Sequence, residues 1–404
     1  MFVIVILCYL DEVASESAAS VAMDGDAEVE LHRPVGKDGD GEYSAATKGC
    51  FDVINVASAA VLSSVEAMEL PAPGSRAFTV ADYGTADAGT SLGLISKVVD
   101  AVRAKGGDAL EVNILYEDQK DNEWRSVFNH ALGYRPATDA YGVVQKVAYT
   151  PENGVFVSAS GIGFHSQAFP SNSVDLAVSF TAMHWLSKAP SSLVGQPEMH
   201  SARLDQPPAK EEKQAAEDWQ RILQARANEL RVGGRMVIVN FCKSKEGYFL
   251  GQTGHGASMW ESFKTSWAKL QKDGLIDTEE ALGVSFPNYY RSNAEVTAGI
   301  NNIPGLSLVG GACEEKVVPC PYRENWVSGK STRTPREHAE WFVPTTRTWS
   351  ESTFKAGLRG DRSEEDKDAI MATFWSNYAD LVEADPAAHH MDYAHLYCTI
   401  EKTA

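Results

Sequence analysis

The sequence has few cysteines, and their spacing indicates neither a disulfide scaffold nor a metal site. Six cysteines in 404 residues are too few to staple a chain of this size. No CxxC pair and no Asn-x-Ser/Thr acceptor occurs, and His389, His390 and His395 lack partners at a zinc-binding spacing. The sequence therefore predicts no metal, a reducing, cytoplasmic location, and two buried thiols at Cys313 and Cys320.

Basic residues are also scarce relative to acidic ones. The 36 lysines and arginines stand against 55 aspartates and glutamates, which gives a formal net charge of −19. A field of this sign repels phosphate backbones and anionic lipid surfaces. We therefore expect neither nucleic acid nor a membrane as a partner.

Long apolar runs are missing except at the start of the sequence. Residues 1–10 are almost wholly apolar, but ten residues are too few to span a bilayer. No basic residue precedes them, as one does in a secretory signal. Residues 11–40 are small, acidic and glycine-rich, which is typical of a solvated tail. Residues 1–40 are predicted to be a poorly ordered tail, with a targeting role as the less favoured alternative.

The rest of the chain has globular composition, with 44% hydrophobic and 23% charged residues. A strand at 77–82, a glycine-containing turn, an amphipathic helix from Leu92 and a second strand at 110–116 follow one another. Two strands joined through a helix imply a right-handed crossover and a parallel sheet. Further strands are predicted at 155–159, 174–179, 236–241, 306–309, 317–318 and 394–400, and helices at 211–230 and 364–383. This order predicts a doubly wound α/β sheet.

Residues 246–300 break this rhythm and predict a cap over the carboxyl edge of the sheet. They are glycine-rich and then helical, with Trp260, Phe263 and Trp267 on one helix face. Five tryptophans between Trp260 and Trp349 are candidates for an aromatic acceptor pocket, although packing of the cap on the core is the default interpretation. The predicted units after the tail are a sheet core at 41–245, the cap at 246–300, and a part at 301–404 that completes the sheet and adds cap elements at about 320–360.

The turn after the first strand carries the strongest chemical signal. Asp82 and Asp87 lie beside Gly84 and Gly89, without the GxGxxG spacing of a dinucleotide site. The negative charge of these two acids disfavours binding of a pyrophosphate and favours a ligand that carries an amino group and a sulfonium. Asp118, at the end of the second strand, is placed to accept ribose hydroxyls. The pattern suggests S-adenosylmethionine and disfavours an NAD-dependent oxidoreductase, while an ordinary turn with acidic caps stays open for this segment alone.

A second segment shows a family resemblance. Residues 161–187 contain a Phe-Pro turn, a strand beginning Val-Asp-Leu, and a His-Trp-Leu-Ser ending. This arrangement is similar to the fourth strand of class I methyltransferases, and most similar to the plant SABATH family of small-molecule carboxyl methyltransferases. The similarity extends in order to Gly-Glu-Tyr-Ser-Ala at 41–45, to 226–237, and more faintly to Phe-Pro-Asn-Tyr-Tyr at 286–290.

The resemblance implies a Rossmann-like class I methyltransferase sheet with a mainly helical cap, and S-adenosylmethionine as cofactor. Trp185 is implied to donate its indole N–H to the acceptor's carboxylate, with His184 beside it, and Cys50 and Thr181 are implied to contact the acceptor. Phe164 is implied to offer adenine a flat apolar face. The residues implied to bind the cofactor are Tyr43, Thr47, Asp82, Gly84, Asp118, Gln119, Gly163 and Phe164.

The chain departs from the family at positions that bear on the acceptor. Cys50, a weak donor, stands where the family has a carboxylate-tethering glutamine, and Thr181 stands where it has a tyrosine. Methylation of a small-molecule carboxylate oxygen is the favoured prediction. An N-methyltransferase acting on a small heterocycle, with His184 as base, and a cofactor-binding homologue without catalysis are the alternatives. The resemblance also allows a homodimer.

Overall fold

The computed structural model describes residues 39–189 and 192–404. The predicted tail lies outside them, apart from residues 39 and 40. The described strands are β1 (Phe78–Tyr83), β2 (Val112–Glu117), β3 (Ala137–Thr138), β4 (Val144–Gln145), β5 (Val155–Ser160), β6 (Val174–Phe180), β7 (Leu230–Phe241), β8 (Leu306–Leu308), β9 (Glu314–Val318) and β10 (Tyr393–Lys402). The described α-helices are α1 (Glu42–Ala46), α2 (Lys48–Ala67), α3 (Leu92–Gly106), α4 (Trp124–Ala131), α5 (Ala209–Glu229), α6 (Met259–Lys272), α7 (Thr278–Ala281), α8 (Asn293–Asn301), α9 (Pro321–Val327), α10 (Pro335–Ala356) and α11 (Glu364–Ala384).

The main sheet has the order β5-β2-β1-β6-β7-β10-β8, and β9 also pairs with β10. The strands β5, β2, β1, β6 and β7 are parallel, whereas β10 runs antiparallel to β7, β8 and β9. Every residue of β1 and β6 is buried, which explains why these strands are mostly apolar and do not alternate between apolar and polar residues. The predicted doubly wound α/β fold class is confirmed.

Helix α2 was not predicted from the sequence. Its buried face carries Val53, Ala57 and Val61, which repeat at four-residue steps and are fully buried. The helix contacts α3 and the sheet strands β6, β7 and β10. Among the described helices it is the one long and apolar enough to cross a membrane by length and composition, and a buried helix of a protein core passes the same test.

The cap is built from helices that are distant in sequence. Helix α11 contacts both α6 and α10, and aromatic rings pack together around Phe263, which lies within 6.3 Å of seven other ring centroids, six of them on these three helices. Helix α8, in contrast, packs against α5 and β8 at the sheet. The domain boundaries predicted from the sequence stay predictions.

The prediction that Cys313 is a free thiol is wrong. Cys313 and Cys398 form a disulfide, with Cα atoms 4.6 Å apart and 85 positions between them. Strand pairing explains the proximity, because Glu314 lies opposite Tyr397 in the antiparallel β9–β10 ladder. Cys320 is a free, buried thiol, as predicted. The prediction of a reducing compartment relied on an absence of disulfides, so this disulfide removes that support for it.

Candidate active site

A cavity lies at the carboxyl ends of β1, β2, β6 and β7. This is the edge at which open α/β sheets bind ligands. Helices α1 and α2 and the cap close it. The lining residues are Tyr43, Thr47, Cys50, Gly84, Ala86, Asp118, Gln119, Phe164, Phe180, Thr181, Ala182, His184, Trp185, Phe241, Leu250, Tyr290, Trp349, Met391 and Tyr393. Ten of the twelve predicted site residues are among them.

Gly84 begins the turn after β1, and no other residue fits there. Its φ is 70°, and a Cβ atom built on it would lie 2.2 Å from the Cβ of Ala182. The Gly84 amide donates to the backbone oxygen of Glu117 at 2.9 Å and to its carboxylate at 3.1 Å. The glycine thus lets the turn approach the ends of both β2 and β6.

Asp118 lines the cavity directly after β2, as the sequence predicts. Its Oδ2 accepts from the amide of Ala86 at 2.8 Å, and its Oδ1 accepts from the amide of Gln119 at 2.7 Å. Burial raises the pKa of Asp118 to about 6, so the group is mostly ionised at neutral pH. A carboxylate offers about four lone-pair positions, and two are used here. Asp118 can therefore accept further hydrogen bonds from a ligand.

Two residues predicted to bind the cofactor, Asp82 and Gly163, do not line this cavity. Asp82 accepts from the hydroxyl of Ser91 at 2.6 Å and of Thr85 at 3.2 Å. Burial, together with the nearby charge of Asp118, raises the pKa of Asp82 to about 7. A Cβ atom on Gly163 would meet nothing within 4 Å, so no steric reason requires glycine there. The roles of both residues stay predictions.

Asp87, the second acid of the turn, binds the chain's own backbone. Its Oδ2 accepts from the amide of Ser44 at 2.8 Å, and its Oδ1 accepts from that of Gly89 at 2.9 Å. This contact fixes α1 against the turn. It thereby brings Tyr43 and Thr47, predicted from the resemblance, to the cavity wall.

A buried ion pair fixes the loop that carries Phe164. Arg226 and Glu229 are fully buried and joined by a 2.7 Å contact. Arg226 also donates to the backbone oxygens of Phe164 and Ser166, both at 2.8 Å, and Glu229 accepts from the hydroxyl of Tyr83 at 2.6 Å. The resemblance marked this segment of the sequence but gave neither residue a role. The structure shows that the pair positions one wall of the site.

The opposite end of the cavity is aromatic. His184 and Trp185 are buried, with ring centroids 5.4 Å apart, and His184 also contacts the rings of Phe241 and Tyr290 at 4.7 and 5.9 Å. Both predicted residues therefore lie at this end. Trp349 is the one member of the five predicted tryptophans that reaches the cavity.

Cys50 lies in a small polar cluster at this end. Burial raises the pKa of its thiol to about 11, while the nearby hydroxyls of Tyr43, Thr47 and Thr181 act in the opposite direction. Thr181 follows β6 with a φ of 58°, a left-handed conformation that is unusual for a β-branched residue. Cys50 is thus a protonated, neutral thiol at neutral pH.

The sequence did not identify eight of the lining residues: Ala86, Phe180, Ala182, Phe241, Leu250, Tyr290, Met391 and Tyr393. Phe180 directly follows one predicted strand and Phe241 ends another, and the strand-end rule that found Asp118 applies to them equally. Tyr290 belongs to the faint Phe-Pro-Asn-Tyr-Tyr similarity. Tyr393 carries no local signal, because its place depends on pairing of β10 with β7.

A family model described as SAM dependent carboxyl methyltransferase matches residues 31–403. Indole-3-acetate O-methyltransferase 1 of Oryza sativa subsp. japonica is 25% identical over 251 residues, covering 57% of this chain and 61% of that protein. Loganic acid O-methyltransferase of Catharanthus roseus is 25% identical over 296 residues, covering 68% and 74%. A 3,7-dimethylxanthine N-methyltransferase of Camellia sinensis var. assamica is 24% identical over 328 residues, covering 75% and 83%.

A solved structure of loganic acid methyltransferase with SAH has the same fold. Its TM-score is 0.70 at 19% sequence identity, and the superposition covers 92% of this chain and 99% of that chain.

Proposed function

The chain belongs to the family of S-adenosylmethionine-dependent carboxyl methyltransferases, and from this membership we propose that it methylates a carboxylate oxygen of a small, mainly apolar acid. The observation that carries the proposal is the composition of the cavity wall. One end presents Asp118 and Phe164 at the carboxyl edge of the sheet, and the other presents buried aromatic rings with Trp185 and His184. A polar nucleoside end and an apolar acceptor end thus meet in one cavity.

The residues present fit the cofactor. Asp118 has free lone pairs for ribose hydroxyls, Gln119 lies next to it, and Phe164 offers a half-buried ring for adenine. Gly84 leaves the backbone of the first turn open to the cavity, with Tyr43 and Thr47 as polar neighbours. When bound, S-adenosylmethionine supplies an electrophilic methyl group on a positively charged sulfur.

The protein's contribution is to align the acceptor and to exclude water. A carboxylate has a reference pKa near 4 and is already ionised at neutral pH, so no general base is needed. Among the described residues that line the cavity, none is a lysine or arginine. Neutral donors therefore hold the acceptor, and we propose that it carries a single carboxylate, since a second would stay unpaired in a buried site.

A methylation assay with labelled S-adenosylmethionine tests the proposed function. Monocarboxylic acids with aromatic or aliphatic bodies should give a labelled methyl ester, identified by mass spectrometry, and matched dicarboxylic acids should react at least about tenfold less efficiently. Xanthines serve as the rival acceptors. Label found on a nitrogen, with no ester from any acid, would favour the N-methyltransferase. S-adenosylhomocysteine binding without any turnover would favour a homologue without catalysis.

Replacing Asp118 with alanine should weaken binding of S-adenosylhomocysteine by about 10- to 100-fold, because hydrogen bonds to a charged acceptor contribute about 1.5–3 kcal/mol. Isothermal titration calorimetry measures the affinity. The same group predicts a pH dependence. Protonation of Asp118 as the pH falls through about 6 removes acceptor positions, so the wild-type affinity should be lower at pH 5 than at pH 8.

The Asp118→Asn variant is the control for this pH dependence, since it has no carboxyl group to titrate at this position. Asp82 has a pKa of about 7 in the wild type, raised in part by the charge of Asp118, so any dependence that remains from Asp82 should move to lower pH in this variant. Unchanged affinity in both Asp118 variants would place the ribose elsewhere. A cytoplasmic location and a homodimer stay predictions.

A further inference from the structure

Three hydrogen-bond donors in the cavity wall have no partner among the described residues. They are the hydroxyls of Tyr290 and Tyr393 and the indole N–H of Trp349, in side chains that are 4%, 1% and 9% exposed. A buried polar group left unpaired costs about 1–3 kcal/mol, and such groups in folded proteins require an explanation. All three side chains belong to the acceptor end. A ligand bound there would therefore meet neutral hydrogen-bond donors and, among the described lining residues, no lysine or arginine.

Tyr393 differs from the other two by its place beside Cys50. A Cβ atom built on Gly49 would lie 2.5 Å from the Tyr393 hydroxyl oxygen and 2.3 Å from its ring Cε2. Gly49 directly precedes Cys50 on α2. The missing side chain at Gly49 therefore leaves the space in which the phenol reaches the helix turn that carries Cys50, where the resemblance sets a carboxylate-tethering glutamine.

At this place the phenol hydroxyl of Tyr393 is a better hydrogen-bond donor than the thiol of Cys50. Burial raises the pKa of Tyr393 well above its usual value, with Cys50 the first of the nearby groups that add to the effect. Its hydroxyl therefore stays protonated and can donate. A thiol is a weak donor, and that of Cys50 lies beside the hydroxyls of Tyr43, Thr47 and Thr181.

We infer that Tyr393 donates a hydrogen bond to the acceptor's carboxylate and forms, with Trp185, the two-point clamp that Cys50 cannot complete. This inference rests on the proposed function, since it requires a carboxylate acceptor. It assigns recognition of the acid to a residue of β10. It also explains why a family member without the glutamine keeps a site for a monocarboxylic acid.

The Tyr393→Phe variant tests the inference with the acid that the wild type methylates best. Loss of a donor to a charged group should lower kcat/KM by about 10- to 100-fold, mainly through KM. The affinity for S-adenosylhomocysteine and the melting temperature should stay close to the wild-type values, because the hydroxyl has no partner in the part of the chain that the structure describes.

Tyr378→Phe, in α11, is the matched control, since it removes another buried hydroxyl that has no partner among the described residues, from a side chain that does not line the cavity. We expect it to lower kcat/KM by less than about threefold. A loss in Tyr378→Phe equal to or larger than that in Tyr393→Phe would overturn the inference, as would unchanged kcat/KM in Tyr393→Phe.

Inhibition by the neutral methyl ester gives a readout that general loosening of the site would not reproduce. A hydrogen bond to a charged group is stronger than one to a neutral group. The Tyr393→Phe substitution should therefore reduce affinity for the acid more than affinity for the ester, and equal losses would overturn the inference. Failure of the proposed function is distinguishable, because wild-type protein would then form no methyl ester from any acid.

Discussion

Replacing Trp185 with alanine is expected to lower kcat/KM for the acceptor acid by at least about 100-fold and to leave the affinity for S-adenosylhomocysteine nearly unchanged. The substitution removes both an indole N–H, whose proposed bond to the acceptor's carboxylate would contribute about 1.5–3 kcal/mol, and a large ring at the apolar end of the cavity. That ring contacts His184, so its loss also leaves space that water can enter. Steady-state kinetics and calorimetry on the same preparation measure the two effects.

The Trp185→Phe variant separates the contribution of the N–H from that of the ring. It keeps an aromatic wall, so we expect about 10- to 100-fold lower kcat/KM from loss of the donor alone. Trp349→Phe, which removes a different indole N–H from the same cavity, should have the smaller effect. A parallel loss of cofactor affinity in the two Trp185 variants would contradict the division of the cavity into a cofactor end and an acceptor end.

Replacing Arg226 with methionine is expected to lower the free energy of unfolding by about 3–5 kcal/mol, because it leaves the fully buried carboxylate of Glu229 without its charged partner. The backbone oxygens of Phe164 and Ser166 lose their donors as well. Denaturant titration measures the stability. At a temperature where the variant is folded, affinity for S-adenosylhomocysteine should also fall, because the loop that carries Phe164 is no longer fixed.

A double-mutant cycle with Glu229→Gln is the control. Removing the charge of Glu229 should relieve part of the penalty, so Arg226→Met with Glu229→Gln should be less destabilised than the sum of the two single variants. Strict additivity would show that the pair is not coupled. Lower stability with unchanged cofactor affinity would mean that the pair supports the fold without positioning Phe164.

Local patterns in the sequence were enough to place the cofactor end. The turn at Gly84 and the acid at Asp118 follow two apolar strands, and parallel strands bring their carboxyl ends to one edge. Pairing of the parallel strands produces this arrangement independently of the contacts that the rest of the chain makes. For this reason, Asp118 lies at the cavity where strand-end reasoning expects it.

The acceptor end depends on long-range packing, and local patterns could not place it. Tyr393 enters the cavity because β10 pairs antiparallel with β7, and Trp349 enters because α10 packs against α11. The disulfide was missed for the same reason, since Cys313 and Cys398 are brought together by the β9–β10 ladder. A pairing between segments this far apart leaves no periodicity within either of them.

The insertion of β10 between β7 and β8 has a consequence for synthesis of the protein. The hydroxyl of Tyr397 in this strand donates to the backbone oxygen of Val53, 344 positions earlier, so the part of the sheet beyond β7 cannot form until the ribosome adds these late residues. Until β10 is made, the strands synthesised earlier have an unpaired edge, and such edges are prone to aggregation. We therefore expect nascent chains halted before β10 to lack methyl-transfer activity and to require chaperones to stay dispersed.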